Sequence, residues 1–303
     1  MNNLRNSLPT VSIITITQYG RFESFQILFE MLKRQTYDNI KEWIIVEGSR
    51  NIRDANKNEK DILRFLEEEE SAFTTQLYIN YIEYTGAPLG ELRNQGNENV
   101  SSDIVVCMDD DDYYPPCRVS HAVSVLSDPD TDYLIGGVSD MYIYDFFLDK
   151  LYRFCADGAF GEYHSTNNAM AYKRFYLLEN SHDKFAKNGE ERSFTKNFTN
   201  PLVQFDSLQT IICISHGSNT FNKRQLCIGG SVGLYPHVKE IDVPITNYIP
   251  PDIYSQMKKV YYKKEEDGPY TVKQLYEMDH SNMKFLQPYF EKYPQLKQSV
   301  VKG

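Results

Sequence analysis

The stretch Val105-Val106-Cys107-Met108-Asp109-Asp110-Asp111-Asp112 constrains this chain more than any other, because it runs without a break from an apolar, β-branched strand into four consecutive carboxylates. Four like charges at a strand end repel one another and resist desolvation, so they persist only where solvent or a cation neutralises them. Oxygen-only ligands at the carboxyl end of a strand suit hard Mg²⁺ or Mn²⁺, which usually share their coordination sphere with a substrate's phosphates. The plainer alternative is an acidic, solvated turn.

The sequence before this stretch alternates strands and helices. Val11 to Thr17 is a continuous β-rich run, as in a strand buried on both faces of a parallel sheet. Phe25, Leu28, Phe29 and Leu32 recur at helical spacing within Phe22 to Arg34, and Gln35 to Asn39 supplies a break. Trp43 to Val46 reads as a second strand and Lys57 to Ser71 as a second helix. A third strand is expected over Tyr78 to Tyr84, a short helix over Leu89 to Val100, and a fourth strand over Ile104 to Met108. This order predicts an α/β fold with a mostly parallel central sheet flanked by helices. Ligands of such sheets bind beyond the carboxyl ends of the strands, which puts Thr17 to Arg21, Glu47 to Arg50 and Asp109 to Asp112 on one rim. No GxGxxG occurs, nor GxxxxGK followed by Ser or Thr, so neither a dinucleotide fingerprint nor a P-loop accounts for that rim.

After Leu134 the pattern changes. Asp140 to Phe147 and Lys150 to Phe154 read as a hairpin turning at Leu148-Asp149, and Thr210 to Ser215 as a further strand. Beyond about Val238 the composition shifts to Tyr, Lys, Glu and Pro, with one helix expected between Thr271 and Tyr289. We therefore expect a domain over 1–237, with a nucleotide-binding half at 9–120 and an acceptor and catalytic half at 121–237, and a carboxyl-terminal extension at 238–303 packed on the core.

A formal charge of −10 and a pI near 5.2 argue against a nucleic-acid partner. The five cysteines show no zinc spacing, and their odd number excludes complete internal pairing, so a reducing compartment is the simpler expectation. No apolar run approaches the roughly 18 residues of a membrane span, and Met1 to Pro9 lacks the apolar core of a signal peptide. The expected location is cytoplasmic, which leaves room for peripheral association with a membrane. The oligomeric state is not legible here.

Five segments in order resemble the GT-A glycosyltransferases, specifically the family-two nucleotide-sugar transferases. They are Val11-Ser12-Ile13-Ile14 with Thr17, Gln35-Thr36-Tyr37-Asp38-Asn39, Ile44-Ile45-Val46-Glu47-Gly48-Ser49, Gly90-Glu91-Leu92-Arg93-Asn94-Gln95-Gly96, and Met108 to Asp112 followed by Pro116. The resemblance implies a GT-A, Rossmann-like fold and a metal-dependent, inverting transfer of a sugar from a UDP-sugar to a hydroxyl of a glycan, lipid or protein, with Mn²⁺ or Mg²⁺ as cofactor. It lays the family's Asp-any-Asp-Asp signature on Asp109, Asp111 and Asp112, with Asp110 in the variable slot. Asp111 is then the first metal ligand, and Asp109 holds ribose hydroxyls or a metal-bound water. Glu47 stands where the family commonly has aspartate and would accept the uracil N3 proton, with Thr17 and Tyr19 lining the base. Arg93 and Asn94 match an Arg-Asn pair that holds nucleotide or phosphate oxygens. Glu190-Glu191 matches the family's Glu-Asp pair, with Glu191 as general base. His216, after the Thr210 to Ser215 strand, would complete the metal site. His164 is a weaker candidate near donor sugar or acceptor. The rival readings are a nucleotidyltransferase acting on a sugar phosphate and a non-catalytic glycan-binding module on the same fold.

Overall fold

The structure, a computed structural model, describes residues 8–69, 77–155, 161–231 and 235–267. In chain order its elements are β1 (Val11–Thr17), α1 (Phe22–Lys33), β2 (Ile40–Glu47), α2 (Ile52–Glu68), β3 (Tyr78–Glu83), α3 (Leu89–Glu98), β4 (Ile104–Cys107), α4 (Arg118–Leu126) and β5 (Ile135–Gly137). They continue with β6 (Asp140–Asp145), β7 (Lys150–Cys155), β8 (Ala171–Lys173), α5 (Glu191–Phe194), β9 (Val203–Gln204), α6 (Ser207–Thr210), β10 (Ile212–Ser215), α7 (Lys223–Ser231), β11 (Val238–Ile241) and α8 (Pro251–Asp267). They fall into two compact units, Met1–Ser139 with Glu162–Thr210, and Asp140–Gly161 with Ile211–Gly303.

The first unit holds a seven-stranded sheet in the order β3-β2-β1-β4-β8-β5-β9. Strands β3, β2, β1 and β4 are parallel, while β8 runs antiparallel to both β4 and β5. Every residue of β1 is buried, as its unbroken β-branched sequence requires of a strand covered on both faces. One face packs Ile14, Ile44, Val46, Leu92, Val105 and Met170 with Tyr172, Tyr176 and Phe194. On α1, Phe25 stacks on Trp43 at 5.0 Å, and Phe65 of α2 meets both Phe25 and Phe29 edge-on. Because the chain crosses from β3, β2 and β1 to β4, the strand order switches between β1 and β4, and the loops after these two strands open a crevice.

The second unit holds the four-stranded sheet β10-β6-β7-β11. The hairpin pairs Asp140 with Cys155 through to Asp145 with Lys150, and the Asp145 carboxylate accepts from the N–H groups of Phe147 and Leu148 to shape the turn. That fully buried carboxylate also takes Arg224 Nε at 2.9 Å and Ser215 Oγ at 2.6 Å. Tyr254 and Tyr261 of α8 pack against Phe146.

Several elements differ from the sequence reading in their bounds. Helix α2 begins at Ile52 rather than Lys57, because the Asn51 side chain caps it by accepting from Asp54 N at 3.0 Å. The strand expected over Thr210 to Ser215 starts at Ile212, since residues 207–210 form a helical turn whose Thr210 hydroxyl donates to the Asp206 carbonyl. Composition after Val238 pointed to no helix over Pro251–Asp267, yet α8 lies there with proline at its first position. The helix expected between Thr271 and Tyr289 lies outside the described residues. Among the described residues no helix is long and apolar enough to cross a membrane.

Candidate active site

Strands β1 and β4 deliver the acidic cluster and its counter-charge to the same end of the sheet. Ile14 pairs with Cys107, and Met108 N donates to the Ile14 carbonyl at 3.0 Å. Trp43 Nε1 donates to Thr15 Oγ1 at 2.9 Å, and that hydroxyl donates to the Met108 carbonyl at 2.8 Å, so a relay from β2 through β1 fixes the point where the carboxylates begin. Asp109 N donates to the buried Tyr114 hydroxyl at 2.7 Å, and Asp112 accepts from Asn168. Thr17 closes β1 fully buried.

Arg21, at the amino-terminal cap of α1, brings Nη1 to 2.8 Å from Asp110 Oδ1 and 3.1 Å from Asp111 Oδ2. Burial nevertheless pushes the Asp110 carboxyl up to about 6, against the pull of Arg21 and with the push of the Asp111 charge. Asp110 Oδ2 and Arg21 Nε are buried with no hydrogen-bond partner. The orphaned Asp110 oxygen is an acceptor that a cation could engage in competition with Arg21, whereas the orphaned Arg21 Nε is a donor and suits an anion such as a phosphate. Among the described residues no three His, Cys, Asp or Glu side chains form a ready cluster for a metal ion. The oxygen donors of Asp110 and Asp111 fit a hard divalent ion whose remaining ligands come from a bound phosphate and water.

Arg93 joins this rim to a second acidic pair. From the core face of α3 its Nη1 and Nη2 grip the two Asp109 oxygens at 2.5 and 2.6 Å, while Nε reaches Glu190 Oε1 at 3.2 Å. Burial opposes the Arg93 charge, but Asp109 and Glu190 more than offset it and hold the pKa well above its ordinary value. Asn94 works beside it as a clamp rather than facing a crevice. Its amide donates to the His182 carbonyl at 2.9 Å and accepts from His182 N at 2.8 Å. Glu191 opens α5, and its carboxyl is pushed up to about 7, first by burial and then by the neighbouring Glu190 charge. A carboxylate tuned to that range can exchange protons near neutral pH.

On the β2 side, Tyr19 is 43% exposed, donates its N–H to Ser49 Oγ at 2.6 Å, and carries Lys57 Nζ 5.1 Å from its ring centroid. Glu47 is fully buried. Its oxygens accept from Ser49 N at 2.8 Å, from the Tyr81 hydroxyl at 2.9 Å and from Asn58 Nδ2. Glu47 therefore shapes the turn that presents Ser49 to Tyr19.

Two histidines have partners within their own units. In the second unit His216 stacks on Tyr261 at 4.4 Å, with Nε2 3.0 Å from Asn219 Nδ2 and Nδ1 3.0 Å from Ser218 Oγ. In the first unit His164 packs on Phe198, and burial drives its pKa down to about 4, so it is neutral at pH 7.

Sequence reasoning put Arg21 on the rim within the Thr17 to Arg21 stretch but gave it no role, and it passed over Lys57, Asn58, Tyr81, Tyr114 and Asn168 as partners in this site. Arg21 had a signal, as the only basic residue between β1 and α1. The others meet their partners across the fold and left none.

The sequence model for glycosyl transferase family 2 matches residues 12–192, more than half of the chain, from β1 to the start of α5. The chain belongs to glycosyl transferase family 2. The match takes in all four aspartates, Arg93 and the Glu190-Glu191 pair of this family-2 glycosyltransferase. Its GT-A fold is shared with the mannosyltransferase PcManGT from Pyrobaculum calidifontis in complex with GDP-Man and Mn²⁺, at 13% identity over 97% of this chain and 84% of that one, with a TM-score of 0.50. S. aureus TarS 1-349 in complex with UDP-GlcNAc aligns at 14% identity over 95% of this chain and 78% of that one, with a TM-score of 0.47. Comparison with curated proteins gives no match. The family-2 glycosyltransferase thus transfers a glycosyl group.

Proposed function

We propose that this glycosyltransferase takes its sugar from a UDP-sugar, works with Mn²⁺ or Mg²⁺ at the acidic rim, and passes the sugar with inversion to a hydroxyl of a glycan, lipid or protein acceptor. The observation that carries the reading is the Arg93 bridge. One guanidinium holds Asp109 at the strand end and Glu190 beside Glu191, so the groups suited to the leaving diphosphate and to the acceptor share one rigid connection. TarS is in complex with UDP-GlcNAc and PcManGT with GDP-Man, so GDP-sugars are the competing donors.

In this reading Thr17 and Tyr19 line the nucleobase, Glu47 supports them through Ser49, and Asp109 and Asp110 with Arg93 hold the nucleotide side, while Asn94 fixes the His182 backbone. Asp111 is the first metal ligand, with Asp109 reaching the ion through a bound water. A bound cation would supply charge neutralisation for the departing nucleoside diphosphate. Glu191 takes the proton from the acceptor hydroxyl as its oxygen bonds to the anomeric carbon. The carbon–oxygen bond to the diphosphate breaks, and its electron pair leaves on the phosphate oxygen. Glu190, held by Arg93, lies next to Glu191 in sequence and helps to raise the Glu191 carboxyl, which favours its proton uptake. Residues 1–237 form the transferase in functional terms, 9–120 serving the nucleotide and 121–237 the acceptor, with 238–303 as an extension.

A panel of UDP- and GDP-sugars, incubated with the protein and Mn²⁺ and assayed for released nucleoside diphosphate, tests the donor. The proposal expects UDP release from at least one UDP-sugar. Release of GDP alone overturns the donor assignment, and pyrophosphate from a nucleoside triphosphate with no release from any nucleotide sugar overturns the reaction class.

A further inference from the structure

We infer that the segment 173–187 of the first unit is a docking face for a lipid bilayer with anionic headgroups. Among the described residues the three most exposed large apolar side chains are Leu178 at 78%, Phe175 at 74% and Phe185 at 73%, and all fall within residues 175–185. Phe175 and Leu178 are three apart in a 3₁₀ helix, Arg174–Leu178, and share its outer face. Tyr176 between them is buried and donates its hydroxyl to the Phe194 carbonyl at 2.7 Å, which pins the inner face to the core.

The backbone that presents Phe185 is equally fixed. Asn94 clamps His182, Gly90 N donates to the Ala186 carbonyl at 2.9 Å, and Asp183 N donates to Ser193 Oγ at 2.7 Å. Exposed apolar side chains of this size, concentrated on one short and fixed segment, mark an interaction face where they join into a patch.

Charge selects the cover. The segment carries Lys173, Arg174, Lys184 and Lys187 against Glu179 and Asp183, in a chain whose formal charge is −10. Lys184 Nζ lies 5.1 Å from the Phe185 ring centroid, a basic head on an aromatic body, while Arg174 also serves Asp103. Aromatic and aliphatic wedges flanked by lysines suit the headgroup boundary of an anionic leaflet. A second copy of this chain in an isologous contact would set these basic groups against themselves. Because Asp183 is tied to Ser193 of α5, docking here would place the helix that carries Glu191 next to acceptors displayed on the bilayer.

Co-sedimentation of the full chain with vesicles of phosphatidylcholine alone, or of phosphatidylcholine with phosphatidylserine, tests this. The anionic vesicles should bind about thirtyfold more tightly, the scale expected for two lysines near a charged leaflet, and high salt should weaken the difference. The triple variant Phe175→Ser, Leu178→Ser, Phe185→Ser and, separately, Lys184→Glu with Lys187→Glu should each lose that binding while keeping the native circular dichroism and melting midpoint. Equal binding to both vesicles, no binding, or undiminished binding by folded variants overturns the inference. A dimer in sedimentation velocity that the triple variant abolishes overturns it in favour of self-association.

Discussion

Glu191 stands at the head of a four-residue helix with its carboxyl pushed up to about 7, and this single shift fixes two pH dependences. A base must be ionised to act, so transfer by the wild type should rise with pH through about 7 and level off above it. Glu191→Gln should keep nucleotide affinity while transfer falls by roughly 10²–10⁴-fold, measured as turnover beside UDP calorimetry. Stability runs the other way. The folded pKa lies above the ordinary 4.5, so between 4.5 and about 7 the native state binds the extra proton, and the protein loses stability as pH rises through that window. The glutamine variant escapes that loss and should be more stable than wild type at pH 8, by about 3 kcal/mol, with no such gain at pH 4. Equal melting differences at both pH values would contradict the shift.

Arg93 makes the second residue-scale prediction, because its three donor atoms serve two different carboxylates. A lysine keeps the charge but cannot grip Asp109 with two atoms and also reach Glu190. Arg93→Lys should cut kcat/KM on the order of 100-fold, and Arg93→Ala should also lose about 3–5 kcal/mol in urea titration, since it leaves buried acids unpaired. The bridge spans 97 positions of sequence, and Arg21 reaches Asp110 across 89. The acids and Arg93 could be singled out from composition and order, whereas pairings of that length leave no periodic trace. The Asn94 clamp and the internal partners of Glu47 were hidden for the same reason.

At the scale of elements, two glycines separate tolerance from rigidity. A Cβ at Gly48 would meet the end of the Leu92 side chain, which must repack within the core, rather than a backbone atom that cannot move. A Cβ at Gly90 would run into the Asp183 backbone carbonyl, on the segment that precedes Glu190 and Glu191. Gly90→Ala should therefore destabilise by about 2–3 kcal/mol and depress transfer, while Gly48→Ala should cost under about 1.5 kcal/mol, both read from thermal melts. The strands and helices of the first half were legible because parallel strands covered on both faces read as apolar runs and the helices between them keep a 3.6-residue stripe. The start of α2 was signalled by Asn51 and overlooked, and so was α8, whose buried Ile253, Met257 and Tyr261 recur every four residues within a mixed Tyr and Lys composition.

Over the whole molecule, the switch of strand order between β1 and β4 gathers Thr17, Arg21 and the aspartates at one crevice, and α3 ties that crevice to Glu190. Fold and family followed from the order of short motifs, since each marks a strand end that the topology brings to one rim. The donor did not, because base recognition depends on loop contacts that no periodicity encodes. Calorimetric titration of UDP, with and without Mn²⁺, into the wild type and Asp111→Ala tests the cation reading most directly. The wild type should bind UDP only with the ion present, and Asp111→Ala should lose at least about 100-fold in affinity. Tight UDP binding by the wild type in a chelator, or undiminished Mn²⁺-dependent binding by Asp111→Ala, would contradict it.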